Sequence, residues 1–234
     1  MSKQAKPKLC PYCGRIVEEL TKDHIVSRGL FVQPYPDNLP TVRVCYPCNQ
    51  EKGYNEDYLR DFLILNMETG SSTIARTLVD TTLTRAIQNK EHGNTSKVAH
   101  AVATQSRLVA LATQQGIIWG HAYQVPIERE RIRSVIIAMV KGFYFKKFGK
   151  ILPKNHTVNM VWISAEKVPV SWDMPLLKGA QRKNLGQVFS YQYITTEDKL
   201  ITTWQFLFYQ GILFQIVTYP PEFIPPIDLS EVRF

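Results

Sequence analysis

Apolar and polar positions change rhythm along this chain, and the change divides it. From Pro153 onward apolar side chains recur at every second position. Val158–Ile163 therefore reads as a strand, and Val188–Thr195, Leu200–Tyr209 and Ile212–Tyr219 read as a three-strand meander. Its turns fall at Thr196-Glu197-Asp198-Lys199 and Gln210-Gly211. Between residues 71 and 148 the spacing is closer to that of a helix. Ile74, Leu78, Leu83 and Ile87 predict a helix over 71–91, and Val98, Val102, Leu108 and Leu111 predict another over 95–115, capped at Asn94-Thr95 and stopped at Gly116. A third is expected from Pro126 to Phe148, with Gly149 as its stop. Its apolar face carries Ile132, Val135, Ile136, Met139 and Phe143, and Arg129, Arg133 and Lys147 share another face, either a solvated surface or a contact for a polyanion.

The first quarter of the chain follows neither rhythm for long. A short strand is expected within Leu20–Val26 and a second at Thr41–Val44, separated by a loop rich in Pro, Asp and Asn. A helix follows Cys48, interrupted at Gly53 and resuming from Asn55 as its cap. The expected fold class is α+β, with a module over residues 1–66, a linker at Glu68–Ser72, and a second unit over 71–234. In that unit helices over 71–148 precede antiparallel strands over 157–219.

Charge adds a partner class. The formal net charge is +8 and the pI is about 9.3, with the basic excess concentrated between Glu128 and Lys154. This favours a polyanion and does not by itself separate DNA, RNA and an anionic surface. No apolar run is long enough to span a bilayer, and the basic N-terminal residues have no apolar stretch behind them, so a cytoplasmic location is expected.

Cysteine usage sharpens the picture. All four cysteines lie in Cys10-Pro11-Tyr12-Cys13 and Cys45-Tyr46-Pro47-Cys48. Four thiolates at this spacing suit one tetrahedral Zn²⁺. A site closed by four sulfurs has no open position, so the metal would be structural. The segment between Cys10 and Cys48 is too short for a core of its own, and the metal would supply much of its folding energy. The competing reading, a redox pair, needs one motif on a βαβ unit, whereas both pairs here sit in short turns. Asp23-His24 lies between the pairs and Asn49 directly follows the second, leaving oxygen and imidazole donors free for other chemistry. Lys52 and Arg28 are expected on solvated surface, with a phosphate contact as the alternative for each.

Cys-x-x-Cys, Asp-His, Asn-Leu and Cys-x-x-Cys-Asn-x-x-Lys together resemble the zinc-containing branch of the HNH endonucleases, the ββα-metal nucleases, over residues 8–65. The resemblance implies a metal-dependent endonuclease that hydrolyses DNA phosphodiester bonds. It implies that His24 is the general base that deprotonates the attacking water, and that Asn38 orients the loop and the histidine ring. It implies that Asp23 and Asn49 hold a divalent cation. One carboxylate, one amide and waters suit Mg²⁺ or Mn²⁺. The chain departs from the family's pattern in having Asn49 where a histidine is usual and Ser27 where a proline is common. From a different class, a non-catalytic zinc module that binds nucleic acid or a protein partner would also account for the cysteines and the charge; such a module has no need of a base beside a metal ligand.

Overall fold

A computed structural model describes residues 8–88, 101, 104–113, 115–165 and 180–223. The N-terminal part is built from two very short strands, β1 (Lys8–Leu9) and β2 (Ile16–Val17), then the hairpin of β3 (Thr21–His24) and β4 (Thr41–Val44), and helix α1 (Tyr46–Ile64). Helix α2 (Thr73–Gln88) follows, then strands β5 (Arg107–Ala112) and β6 (Ile118–Gln124) and helix α3 (Arg129–Phe148). Strands β7 (Thr157–Ser164), β8 (Lys183–Leu185), β9 (Phe189–Thr195), β10 (Thr202–Phe208) and β11 (Ile212–Tyr219) form one antiparallel sheet in the order β7-β11-β10-β9-β8. The α+β class and the predicted strands of the sheet are present.

Helix α3 holds the molecule together. Ile132, Val135, Ile136, Met139 and Phe143 are buried as the pattern requires, and so are Val140, Gly142 and Tyr144. A helix buried around most of its circumference must have partners on more than one side. On one side the ring of Phe143 stacks on Tyr191 at 4.3 Å and meets Phe206 at 5.7 Å between centroids. Strand register sets this aromatic face, because Phe206 stands opposite Tyr191 and Phe214, and Trp204 opposite Tyr193 and Ile216. On another side Ile25, next after β3, packs onto Gly142, where a Cβ would come within 3.0 Å of the isoleucine. Lys141 Nζ donates to the Tyr12 carbonyl at 3.0 Å, and the Tyr58 hydroxyl of α1 accepts from the Glu128 amide. The N-terminal part and the sheet thus share one continuous apolar core.

Four expectations are corrected. Residues 107–124 form a β-hairpin, not the end of a helix over 95–115. Leu108-Val109-Ala110-Leu111-Ala112 is a short apolar run whose local pattern suits either state, and pairing with Ile118–Gln124 decides it. Gly116 does not stop a helix; it takes φ +85° in the hairpin turn. Helix α1 is unbroken through Gly53 and starts at the second cysteine pair, so Asn55 is no cap; its side chain bonds Ser134 and Arg131 of α3. The Glu68–Ser72 segment is tied down, with Thr69 buried and Glu68 accepting from Ser164 Oγ at 2.8 Å.

The helix face carrying Arg129, Arg133 and Lys147 is also largely committed within the molecule. Arg133 donates to the Val158 carbonyl at 2.9 Å, Arg129 lies over Trp162 and Lys147 over Tyr193.

Candidate functional site

The four cysteines come together. Cys10, Cys13, Cys45 and Cys48 present sulfurs that all lie within 4.8 Å of one another, and Cys13 and Cys45 Sγ are 3.7 Å apart. A tetrahedron with Zn–S bonds of about 2.3 Å has edges of about 3.8 Å, so the donors fit a structural ion of that kind. Two pieces of backbone make the fit. The β1–β2 turn returns on itself at Gly14, with φ +67°, and Cys10 N donates to the Arg15 carbonyl. Cys45 caps α1 and Cys48 lies in its first turn, with Pro47 in a position that needs no amide donor. Burial pushes the Cys10 and Cys48 thiols up. Burial also opposes ionisation of Cys13, but hydrogen bonds from the Arg15 guanidinium 3.3 Å away, the Arg15 backbone, Cys48 and Cys10 together outweigh it and draw that thiol down to about 6.

Asp23 and His24 are neighbours in sequence and face opposite ways. Side chains alternate across a strand, so Thr21 and Asp23 face α1 while Lys22 and His24 face outward. Asp23 is buried. Its carboxylate accepts from the Tyr12 hydroxyl at 2.6 Å and from Lys52 Nζ at 3.2 Å. Lys52, expected on the surface, is only 4% exposed. Its ammonium also donates to the His24 carbonyl at 2.8 Å and to Glu56. Burial raises the Glu56 carboxyl above its usual range even with Lys52 beside it, and burial with the Asp23 charge holds the Tyr12 phenol neutral. Asn49 turns its amide to Thr21 Oγ1 at 3.0 Å.

The oxygen donors of Asp23 and Asn49 suit a hard cation by type. Their arrangement does not fit one. The carboxylate is already held by an ammonium and a phenol, and Asn49 reaches Thr21 instead of Asp23. A divalent cation at Asp23 would have to displace Lys52.

His24 stands in different surroundings. It is half-buried in the wall of an open cleft of about 900 Å³ lined also by Lys22, Arg28, Tyr35, Asp37 and Thr41. Arg28 is laid over the Tyr35 ring at 4.4 Å. Burial lowers the His24 pKa, and the charges of Arg28 and Lys22 lower it further, against the pull of Asp23. The imidazole is therefore neutral, and able to accept a proton, over more of the range near pH 7 than an unperturbed histidine. Asn38 is exposed in the loop between the lining residues Asp37 and Leu39.

The structure thus gathers the four cysteines as predicted, puts His24 on a basic cleft, and separates it from Asp23 and Asn49. Sequence reasoning missed the parts played by Lys52 and Tyr12, which meet at Asp23 only in the folded chain. Among the described residues no helix is long and apolar enough to cross a membrane. No family model, curated protein or solved structure matches the chain.

Proposed function

We propose that this protein is an endonuclease of the HNH kind that hydrolyses phosphodiester bonds of DNA, with a structural zinc at Cys10, Cys13, Cys45 and Cys48 and His24 as general base. One observation carries the reading: a histidine held toward its neutral form lines an open cleft that also presents two cations, Lys22 and Arg28, against one carboxylate, Asp37. In phosphodiester hydrolysis a water oxygen bonds to phosphorus, the bond to one ester oxygen breaks, the water loses a proton, and the departing oxygen takes one up from solvent. His24 takes the proton of the attacking water, while Arg28 offsets the negative charge of the phosphate. Asp23 acts from behind. With Lys52, which also grips the His24 carbonyl, it fixes the strand that presents the imidazole.

The burial of Asp23 favours a second reading, a zinc module that binds DNA without cutting it, because the carboxylate is committed to Lys52 and not to a cation. Incubation of supercoiled plasmid with the wild type and with His24→Ala, in Mg²⁺, in Mn²⁺ and in EDTA, separates the two. Loss of the base should slow cleavage by ~10²–10⁴-fold and leave zinc content and DNA affinity unchanged. Equal cleavage by both proteins would remove His24 from the reaction. No wild-type cleavage under any of these conditions would favour the binding module.

A further inference from the structure

The register of β3 on β4 has a consequence that extends past the histidine cleft. Lys22 stands directly opposite Arg43, and the next outward pair along the hairpin is His24 opposite Thr41. Both Lys22 and Arg43 are exposed, and neither has a carboxylate partner among the described residues. Like charges directly opposite each other on one face of a sheet repel and destabilise the pair. Nothing in the fold asks for them. The inward face of the same hairpin, with Val42, Val44 and Asp23 buried, supplies the packing the strands need. Two cations held against their own repulsion, beside a third at Arg28, form a surface that gains by taking up an anion.

We infer that Lys22 and Arg43 form a phosphate-binding step on the outer face of the β3–β4 hairpin, which grips the backbone of duplex DNA next to the bond presented to His24. The inference rests on the reading of DNA as the substrate. It adds the path of the substrate strand, across the hairpin and into the cleft past Arg28. Lys22 and His24 are two residues apart on one strand, about 6.6 Å. A phosphate held by the cross-strand pair therefore lies beside the imidazole and not upon it. The grip is electrostatic and reads no base edge, so it supplies affinity and registration without sequence preference.

The test uses the full zinc-loaded chain and a fluorescein-labelled 20-base-pair duplex in EDTA, with binding followed by anisotropy across a KCl series. Replacing both residues, Lys22→Gln with Arg43→Gln, should weaken binding at least tenfold at low salt. The slope of log K against log[KCl] should become shallower by roughly 0.9 for each phosphate no longer neutralised. Each single substitution should remove about half of that change. Lys183→Gln, an exposed lysine of β8, should alter neither. The thermal midpoint supplies the second readout. Relief of the repulsion should leave it unchanged or raised in the double variant, whereas removal of groups that merely hold the fold together would lower it.

An unchanged salt slope in the double variant would overturn the inference, whether or not the protein cuts DNA. Equal dependence on these two residues for binding to phosphatidylserine vesicles, with no binding to the duplex, would overturn it as well. A shallower slope in a protein that never cleaves would uphold this binding surface while removing the catalytic reading. Cleavage that requires His24 together with an unmoved slope would remove this surface alone.

Discussion

Lys52→Met isolates the buried ion network. The substitution keeps most of the aliphatic stem and removes the ammonium. All three ammonium protons are in use, toward Asp23, Glu56 and the His24 carbonyl. The side chains of Lys52, Asp23 and Glu56 are only 2%, 7% and 16% exposed, so water cannot replace those bonds without opening the β3–α1 packing. Breaking a buried pair while leaving its partner charged costs about 3–5 kcal/mol. In a chain of 234 residues that corresponds to a fall in thermal midpoint of roughly 10 °C. The pH dependence follows from the carboxylates. Burial already holds Glu56 above its unfolded value, so the folded state binds more protons than the unfolded one and its contribution to stability falls as pH rises through that interval. Without Lys52 the Glu56 carboxyl should rise further, because the ammonium beside it opposes the effect of burial. The deficit of the variant should then be larger at pH 8 than at pH 5.5, because falling pH favours the protonated, uncharged form of Glu56. Urea unfolding of the zinc-loaded wild type, Lys52→Met and the exposed control Lys183→Met at these two pH values measures it. A Lys52→Met protein within 1 kcal/mol of the wild type at pH 8 would refute the reasoning, as would a deficit that stays constant with pH.

Other outcomes follow from the same structure. The wild type should carry one zinc per chain by elemental analysis, and Cys45→Ala with Cys48→Ala should lose it and melt the N-terminal module, because metal binding there is folding free energy; full zinc in the double variant would contradict the assignment. Gly211→Ala should destabilise the protein by about 1–3 kcal/mol or more, since its Cβ would stand 2.0 Å from the Glu68 carbonyl oxygen, backbone that cannot move aside cheaply; thermal unfolding checks it. In the His24→Ala protein, binding of the labelled duplex should match the wild type, so that any loss of cleavage reports chemistry and not affinity.

Gly211 shows how local reading can choose the right place for the wrong reason. A turn at Gln210-Gly211 is legible, and the glycine would ordinarily supply the positive φ. The structure gives that conformation to Tyr209 and Gln210, at φ 48° and 60°. Gly211 is glycine because Glu68, far away in sequence, passes too close for a side chain.

The same division runs through the whole molecule. Whatever short-range chemistry can decide was legible along the chain. Alternation marked β7, β9, β10 and β11, and the spacing of the cysteines marked the metal cluster, whereas Asp23 and His24, read as parts of one site, turn to opposite faces of their strand. The long helix ending at Gly149 was legible because apolar spacing, a proline before it and a left-handed glycine after it all agree. The remaining features depend on partners brought together by folding. Leu108–Ala112 became a strand because Ile118–Gln124 was there to pair with it, and α1 ran through Gly53 because packing against α3 outweighs one residue's weak helix propensity. Lys52 is buried because two carboxylates from β3 and α1 converge on it, and the cationic step of Lys22 and Arg43 exists because strand register sets residues 21 positions apart face to face. Patterns along a chain report which face a residue turns to; what waits on that face is a property of the fold.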